Sequence, residues 1–119
     1  MILNVAHQKG GVGKSTIAIN LAVSLKADIL DLDNQHSCIL FNKIRKANGL
    51  NPLNCFSCDE ESEIDLILKQ YLNSKTLIID SGGFDSKNNR LALIKSNLII
   101  TPVSPSQIEL FGLQKFERI

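Results

Sequence analysis

Apolar residues along this chain fall into short continuous runs, separated by longer segments in which they recur every three or four positions. The runs at 2–6, 28–32, 53–57, 76–80 and 97–101 predict strands, and the segments 14–25, 36–47, 62–73, 87–95 and 106–118 predict helices. Thr76-Leu77-Ile78-Ile79-Asp80 and Asn97-Leu98-Ile99-Ile100-Thr101 lack polar alternation. That is the pattern of strands covered on both faces, as in a parallel sheet. The alternation of strand and helix predicts an α/β architecture with right-handed crossovers. Asn48-Gly49 is a stop signal for the second helix. Ser62, with Asp65 three residues on, is a candidate N-cap for the third. No repeat, low-complexity tract or interdomain linker interrupts the pattern, so residues 1–119 read as one domain.

Composition adds limits. The 119 residues are 44% hydrophobic and 21% charged, which is globular usage. A chain of this size buries roughly two-thirds of its unfolded surface, enough for one core. The net charge of +1 gives no global basic field of the kind that marks nucleic-acid binding. No apolar run approaches the ~20 residues of a membrane span. Met1-Ile2-Leu3 leads into the first strand without a signal-peptide pattern, so a soluble cytoplasmic protein is expected. Cys55 and Cys58 form a single C-x-x-C, with Cys38 apart. One such pair, without a second at zinc spacing, is weak evidence for a metal. The three read as reduced thiols, with a redox or iron–sulfur role as the alternative. Asp59-Glu60-Glu61 reads as a solvated face.

The chemistry concentrates in Gln8-Lys9-Gly10-Gly11-Val12-Gly13-Lys14-Ser15-Thr16, between the first strand and the first helix. Backbone N–H groups converge in such a loop, and the helix dipole favours negative charge there. Gly10, Gly11 and Gly13 allow positive φ and close approach to phosphate oxygens. Lys14 can reach β/γ-phosphates and the Ser15 hydroxyl can ligate Mg²⁺. The alternative is a glycine-rich turn with nearby lysines. The candidate nucleotide contacts are Lys9, Gly10, Gly11, Val12, Gly13, Lys14, Ser15 and Thr16.

Two carboxylate segments follow. Asp31-Leu32-Asp33-Asn34-Gln35 closes the second strand, and Asp80 ends an apolar run before Ser81-Gly82-Gly83. Ligands of open α/β sheets sit beyond the carboxyl ends of the strands, which aims these acids at the phosphates. Asp80 is a candidate Mg²⁺ ligand opposite Ser15. Asp31 belongs to the Mg²⁺ shell or holds its loop. Gly82 and Gly83 can offer N–H groups to a γ-phosphate. Asp33 or Asn34 can also cap the helix beginning near His36. His7 reads as a backbone hydrogen-bonding residue and His36 as solvent-facing.

Gln8 stands where an ordinary G-x-x-x-x-G-K-[ST] loop has its first glycine, and Lys9 follows. The run resembles the deviant Walker A motif K-G-G-x-G-K-[ST] of the ParA/MinD ATPases, and Gln8 resembles the partition branch. Asp31-Leu32-Asp33-Asn34-Gln35 resembles that family's D-x-D-P-Q, with Asn34 in place of proline. Asp80-Ser81-Gly82-Gly83 is similar to D-G-A-G. Thr101-Pro102-Val103-Ser104-Pro105-Ser106 resembles I-x-P-V-x-P-S. The resemblance implies a P-loop NTPase with a mostly parallel sheet and helices on both faces. The sheet is expected to be incomplete at its C-terminal edge, since the family domain has further strands and helices beyond the matching part. It implies ATP and Mg²⁺ as cofactors, with Lys9, Lys14 and Asp33 as catalytic residues. Lys9 would reach across a dimer to the partner's nucleotide, and Asp33 would lie near the attacking water. The implied function is an ATP-dependent dimerisation switch for DNA or plasmid partition. Its implied partners are a second copy, a partition adaptor protein and non-specific DNA, with no membrane. Two other readings stand beside it: a nucleotide-binding interaction remnant without turnover, and a metal-handling or reductase-type ATPase. Gln8 argues against the last.

Overall fold

All five expected strands form, and they join one parallel sheet. The computed structural model describes residues 1–6, 14–72, 75–81 and 86–101. The elements run β1 (Ile2–Val5), α1 (Lys14–Leu25), β2 (Asp28–Asp31), α2 (Ser37–Ala47), β3 (Cys55–Ser57), α3 (Glu61–Gln70), β4 (Leu77–Asp80), α4 (Lys87–Lys95) and β5 (Leu98–Ile100). The sheet order is β3-β2-β4-β1-β5, every neighbouring pair parallel. The expected helix over 106–118 and the Thr101–Ser106 motif beyond Thr101 lie outside the described residues.

The apolar runs of β1, β2 and β4 are explained by two cores, one on each face; the run at 97–101, expected to be covered on both faces, contributes to neither core among the described residues. Leu3, Val5, Ile29 and Ile78 pack with Ala18, Ile19 and Ala22 of α1 and Cys38 of α2. Ile2, Leu30, Leu77 and Ile79 pack with Ile64 and Leu68 of α3 and Ala92 of α4. Successive strand residues point to opposite faces. A strand covered on both sides therefore needs apolar residues at every position, and each such side chain contributes about 1.5–3 kcal/mol of burial. β5 is the edge of the described sheet, with Leu98 52% and Ile99 42% exposed.

Helix ends follow local chemistry where the sequence supplies it. α2 stops as expected: Asn48 is its C-cap, Gly49 takes φ 77°, and Gly49 N–H and Leu50 N–H donate to the carbonyls of Lys46 and Arg45. This paired return of N–H groups to the last turn is a Schellman ending, which needs a left-handed residue that glycine adopts without strain. Ser62 is not the N-cap of α3. That helix begins at Glu61 with Glu60 as cap residue in extended backbone and no side-chain cap bond. Acidic Glu61 and Glu63 in its first turn instead complement the dipole. Ser86 caps α4, its hydroxyl accepting from Asn89 N–H.

Candidate functional site

The sheet brings the acids together. Asp80 ends β4 in register with Val5 of β1 on one side and Asp31 of β2 on the other. The two carboxylates thus sit at one level of the C-terminal edge, both fully buried. α1 begins at the same edge, and Ser15 Oγ donates to Asp80 Oδ2 at 2.7 Å. The start of α1 and the end of β4, 65 residues apart, are joined by that bond. A second donor reaches the same oxygen: the Cys38 thiol of α2, 3.1 Å away. Burial, followed by the charge and hydrogen bond of Asp80, pushes that thiol far above its ordinary range. It therefore remains a donor.

Asp31 holds its loop. Oδ1 accepts from Asp33 N–H at 3.1 Å, and Oδ2 accepts from Ile39 N–H at 3.2 Å. Ile39 is the third residue of α2, so Asp31 satisfies an orphan donor of that helix from a neighbouring strand. This corrects the expectation that Asp33 or Asn34 caps α2. The residue at the cap position is His36, left-handed at φ 51° with no side-chain cap bond. The Asp33 carboxylate instead closes a turn, accepting from Gln35 N–H at 3.1 Å, while the Asp33 carbonyl accepts from His36 N–H. Burial raises the Asp31 carboxyl above the usual carboxylate value; the Ile39 N–H offsets part of this and the Asp80 charge adds to it. Asp31→Ala is expected to lower stability by about 2–4 kcal/mol, because two N–H groups lose their acceptor. Urea unfolding measures this, and a change within error would show that the loop holds without it.

Asp33 and Asn34 line a cavity of about 280 Å³ that also meets His36, Asp59, Ser86 and Asn88. His36 is solvent-exposed, as expected. Thr16 lies on the exposed side of α1, in a second groove of about 240 Å³ with Ser15, Ser37 and Phe41. Lys9, Gly10, Gly11, Val12 and Gly13 lie outside the described residues, as do His7, Gly82 and Gly83.

Three features were not apparent from the sequence. Asn4, in the middle of β1, is fully buried, and its Oδ1 accepts from Ser81 Oγ at 2.6 Å. Its amide nitrogen has no hydrogen-bond partner among the described residues. Ser81 is thereby tied to β1 twice, since its N–H also donates to the Val5 carbonyl. This fixes the direction in which the chain leaves Asp80. The second feature is Cys38, with its bond to Asp80. The third concerns Cys55 and Cys58, which pack against opposite faces of the sheet, one with the α1/α2 core and one with the α3/α4 core. Cys58 Sγ donates to Glu63, and burial pushes the Cys55 thiol up to about 12. All three are free thiols.

A chain-wide match accompanies this geometry: residues 3–119 fit the model of the CobQ/CobB/MinD/ParA nucleotide binding domain. The chain belongs to that family. Three solved structures share its fold. One is a plasmid partition protein from Borrelia burgdorferi, 25% identical with a TM-score of 0.70, matched over 98% of this chain and 70% of that one. Another is a putative plasmid partition protein from Borrelia burgdorferi B31 bound to AMPPNP, 23% identical with a TM-score of 0.72, over 98% and 68%. The third is apo McdA from Cyanthece, 18% identical with a TM-score of 0.70, over 98% and 63%. No curated protein matches the sequence. Among the described residues of this ParA/MinD-family chain, no helix is long and apolar enough to cross a membrane.

The Ser15–Asp80 pair suits a hard cation. Hydroxyl and carboxylate oxygens are the donors Mg²⁺ takes, with its remaining positions filled by water and phosphate oxygens. The protonated Cys38 thiol supports the carboxylate without competing for such an ion.

Proposed function

We propose that this chain is a nucleotide-dependent switch of the partition type: it binds ATP with Mg²⁺, pairs with a second copy through the nucleotide, and resets by slow hydrolysis. The observation that carries the reading is the 2.7 Å bond from Ser15 Oγ to Asp80 Oδ2, which joins the start of α1 to the end of β4. Family membership and a fold shared with plasmid partition proteins, one of them bound to AMPPNP, support it.

In this reading the domain spans residues 1–119. Lys14 and the Gly10–Gly13 backbone hold the β/γ-phosphates, and Gly82 and Gly83 face the γ-phosphate. Ser15 and Asp80 hold Mg²⁺, which when bound neutralises charge on the phosphate oxygens. Asp31 keeps the following loop in place, and Asp33 orients water. Lys9 reaches the partner copy's nucleotide. An adaptor protein and non-specific DNA are the partners that such a switch serves, in the cytoplasm.

Measured ATP turnover, with and without DNA, tests the proposal. Slow turnover that requires Mg²⁺ and rises with DNA is the expected result. Tight ATP binding without any turnover would support an interaction module instead. The separation of Cys55 from Cys58 onto opposite faces counts against a reductase-type reading that uses that pair.

Asp33→Ala is expected to leave ATP affinity within about twofold and to slow hydrolysis at least tenfold, within the range that general-base and water-orienting groups contribute. The ATP-loaded state would then accumulate in single-turnover measurements. An unchanged rate would reduce Asp33 to the turn it closes with Gln35 N–H.

A further inference from the structure

Asp31, Cys38 and Asp80 lie on three different elements, β2, α2 and β4, and all three side chains are buried. Each offers one ligand atom, and these atoms all lie within 4.8 Å of one another. Cys38 Sγ is 3.1 Å from Asp80 Oδ2, and Ser15 Oγ is 2.7 Å from that same oxygen. Two carboxylates in register and fully buried repel each other. A cation placed between them would relieve this. The Asp31 oxygens already accept from Asp33 and Ile39 N–H groups. A carboxylate oxygen has a second lone pair, so each can still reach a metal, and those N–H bonds hold the ligand in orientation.

We propose that Asp31, Cys38 and Asp80 bind a thiophilic divalent cation of the Zn²⁺ or Cd²⁺ type, with Ser15 Oγ or a water as fourth ligand. Zinc sites take four ligands with metal–oxygen and metal–sulfur distances of about 2.0–2.3 Å, which sets neighbouring ligand atoms about 3.3–3.6 Å apart. The Sγ–Oδ2 pair at 3.1 Å is already close to that spacing. As the metal–sulfur bond forms, the thiol proton leaves to solvent; no electrons are transferred. Mg²⁺ prefers oxygen donors and gains nothing from sulfur, so the thiol gives this site a preference that an all-oxygen site lacks. The site shares Ser15 and Asp80 with the nucleotide reading. A thiophilic ion seated there would engage Asp80 Oδ2 and so oppose loading of Mg²⁺-nucleotide. That regulatory consequence rests on the nucleotide reading; the metal site itself does not.

The test uses the full chain, metal-free, titrated with Cd²⁺ alone. Thiolate-to-cadmium absorption in the ultraviolet is expected to saturate at one ion per chain. Cys38→Ser should abolish it, whereas Cys55→Ser and Cys58→Ser should leave it intact. Asp31→Asn keeps all three thiols and should weaken Cd²⁺ binding at least tenfold, with circular dichroism confirming that each variant folds. Absorption that persists in folded Cys38→Ser, or that disappears with Cys55→Ser, would overturn the site. Binding of Mg²⁺-ATP is measured separately without Cd²⁺. Cd²⁺ binding at Cys38 without ATP binding sinks the nucleotide reading and leaves the metal site standing. ATP binding without the Cd²⁺ signal does the reverse.

Discussion

Asp80→Asn is expected to weaken Mg²⁺-ATP binding about a hundredfold while leaving Mg²⁺-free ATP binding nearly unchanged. Asparagine keeps the size of the side chain and one acceptor oxygen, so the 2.7 Å bond from Ser15 Oγ has a replacement acceptor. What is lost is the negative charge that would face Mg²⁺. A hundredfold corresponds to about 2.7 kcal/mol, within the range of hydrogen bonds and contacts to charged groups. The fold should survive, because Asp80 stands in register with buried Asp31 and removing one of two like charges relieves repulsion. The sign of that relief is checkable. Asp80 is one cause of the raised Asp31 carboxyl, so the Asp31 pKa should fall in the variant. A carboxyl raised in the folded state binds its proton more tightly there than in the unfolded chain. Wild-type stability is therefore lost as pH climbs from the unfolded carboxylate value through the folded one. Asp80→Asn should show a shallower loss over the same window. Calorimetric titration with and without Mg²⁺ measures the main effect; equal affinities under both conditions would remove Asp80 from the cation site.

How much was legible in the sequence depended on whether the cause was local. The strands could be read because a sheet covered on both faces demands unbroken apolar runs, as in Leu77-Ile78-Ile79. The stop of α2 could be read because Asn48-Gly49 carries its own backbone geometry. The cap of α2 could not. The group that satisfies Ile39 N–H is Asp31, eight residues earlier on a neighbouring strand. Capping rules look within a few residues of the helix start, and so pointed to Asp33 or Asn34. Ser62 failed for the opposite reason: it had the right chemistry two residues too late, since Glu60 holds the cap position and the chain enters α3 at Glu61. The glycine loop announced phosphate chemistry, but only the sheet register could place Asp31 beside Asp80. Cys38 is an unremarkable letter in the sequence and a donor to Asp80 in the fold. Cys55 and Cys58 look like a pair in the sequence, and side-chain alternation through β3 separates them.

Lys9→Ala is expected to abolish ATP-induced dimers while holding ATP affinity within about threefold of wild type. The asymmetry follows from the proposed division of labour. One copy's phosphates are held by its own Lys14, its own glycine-loop N–H groups and its own Mg²⁺ ligands, and none of these changes. Lys9 is assigned to the other copy's nucleotide, so its removal is felt only when two copies meet. A lysine–phosphate contact is charge-assisted. Losing two of them, one for each copy in a symmetric pair, should cost about 3–6 kcal/mol of association, a weakening of at least a hundredfold. A variant that merely hydrolysed ATP faster would also look monomeric, so the comparison belongs in the Asp33→Ala background, where turnover is expected to be slow. There, Asp33→Ala alone should run as a dimer with ATP in light scattering, and Lys9→Ala/Asp33→Ala should run as a monomer at the same concentration. Should the double variant still dimerise, Lys9 acts within its own copy, and the dimer, if nucleotide drives it, is held by other surfaces.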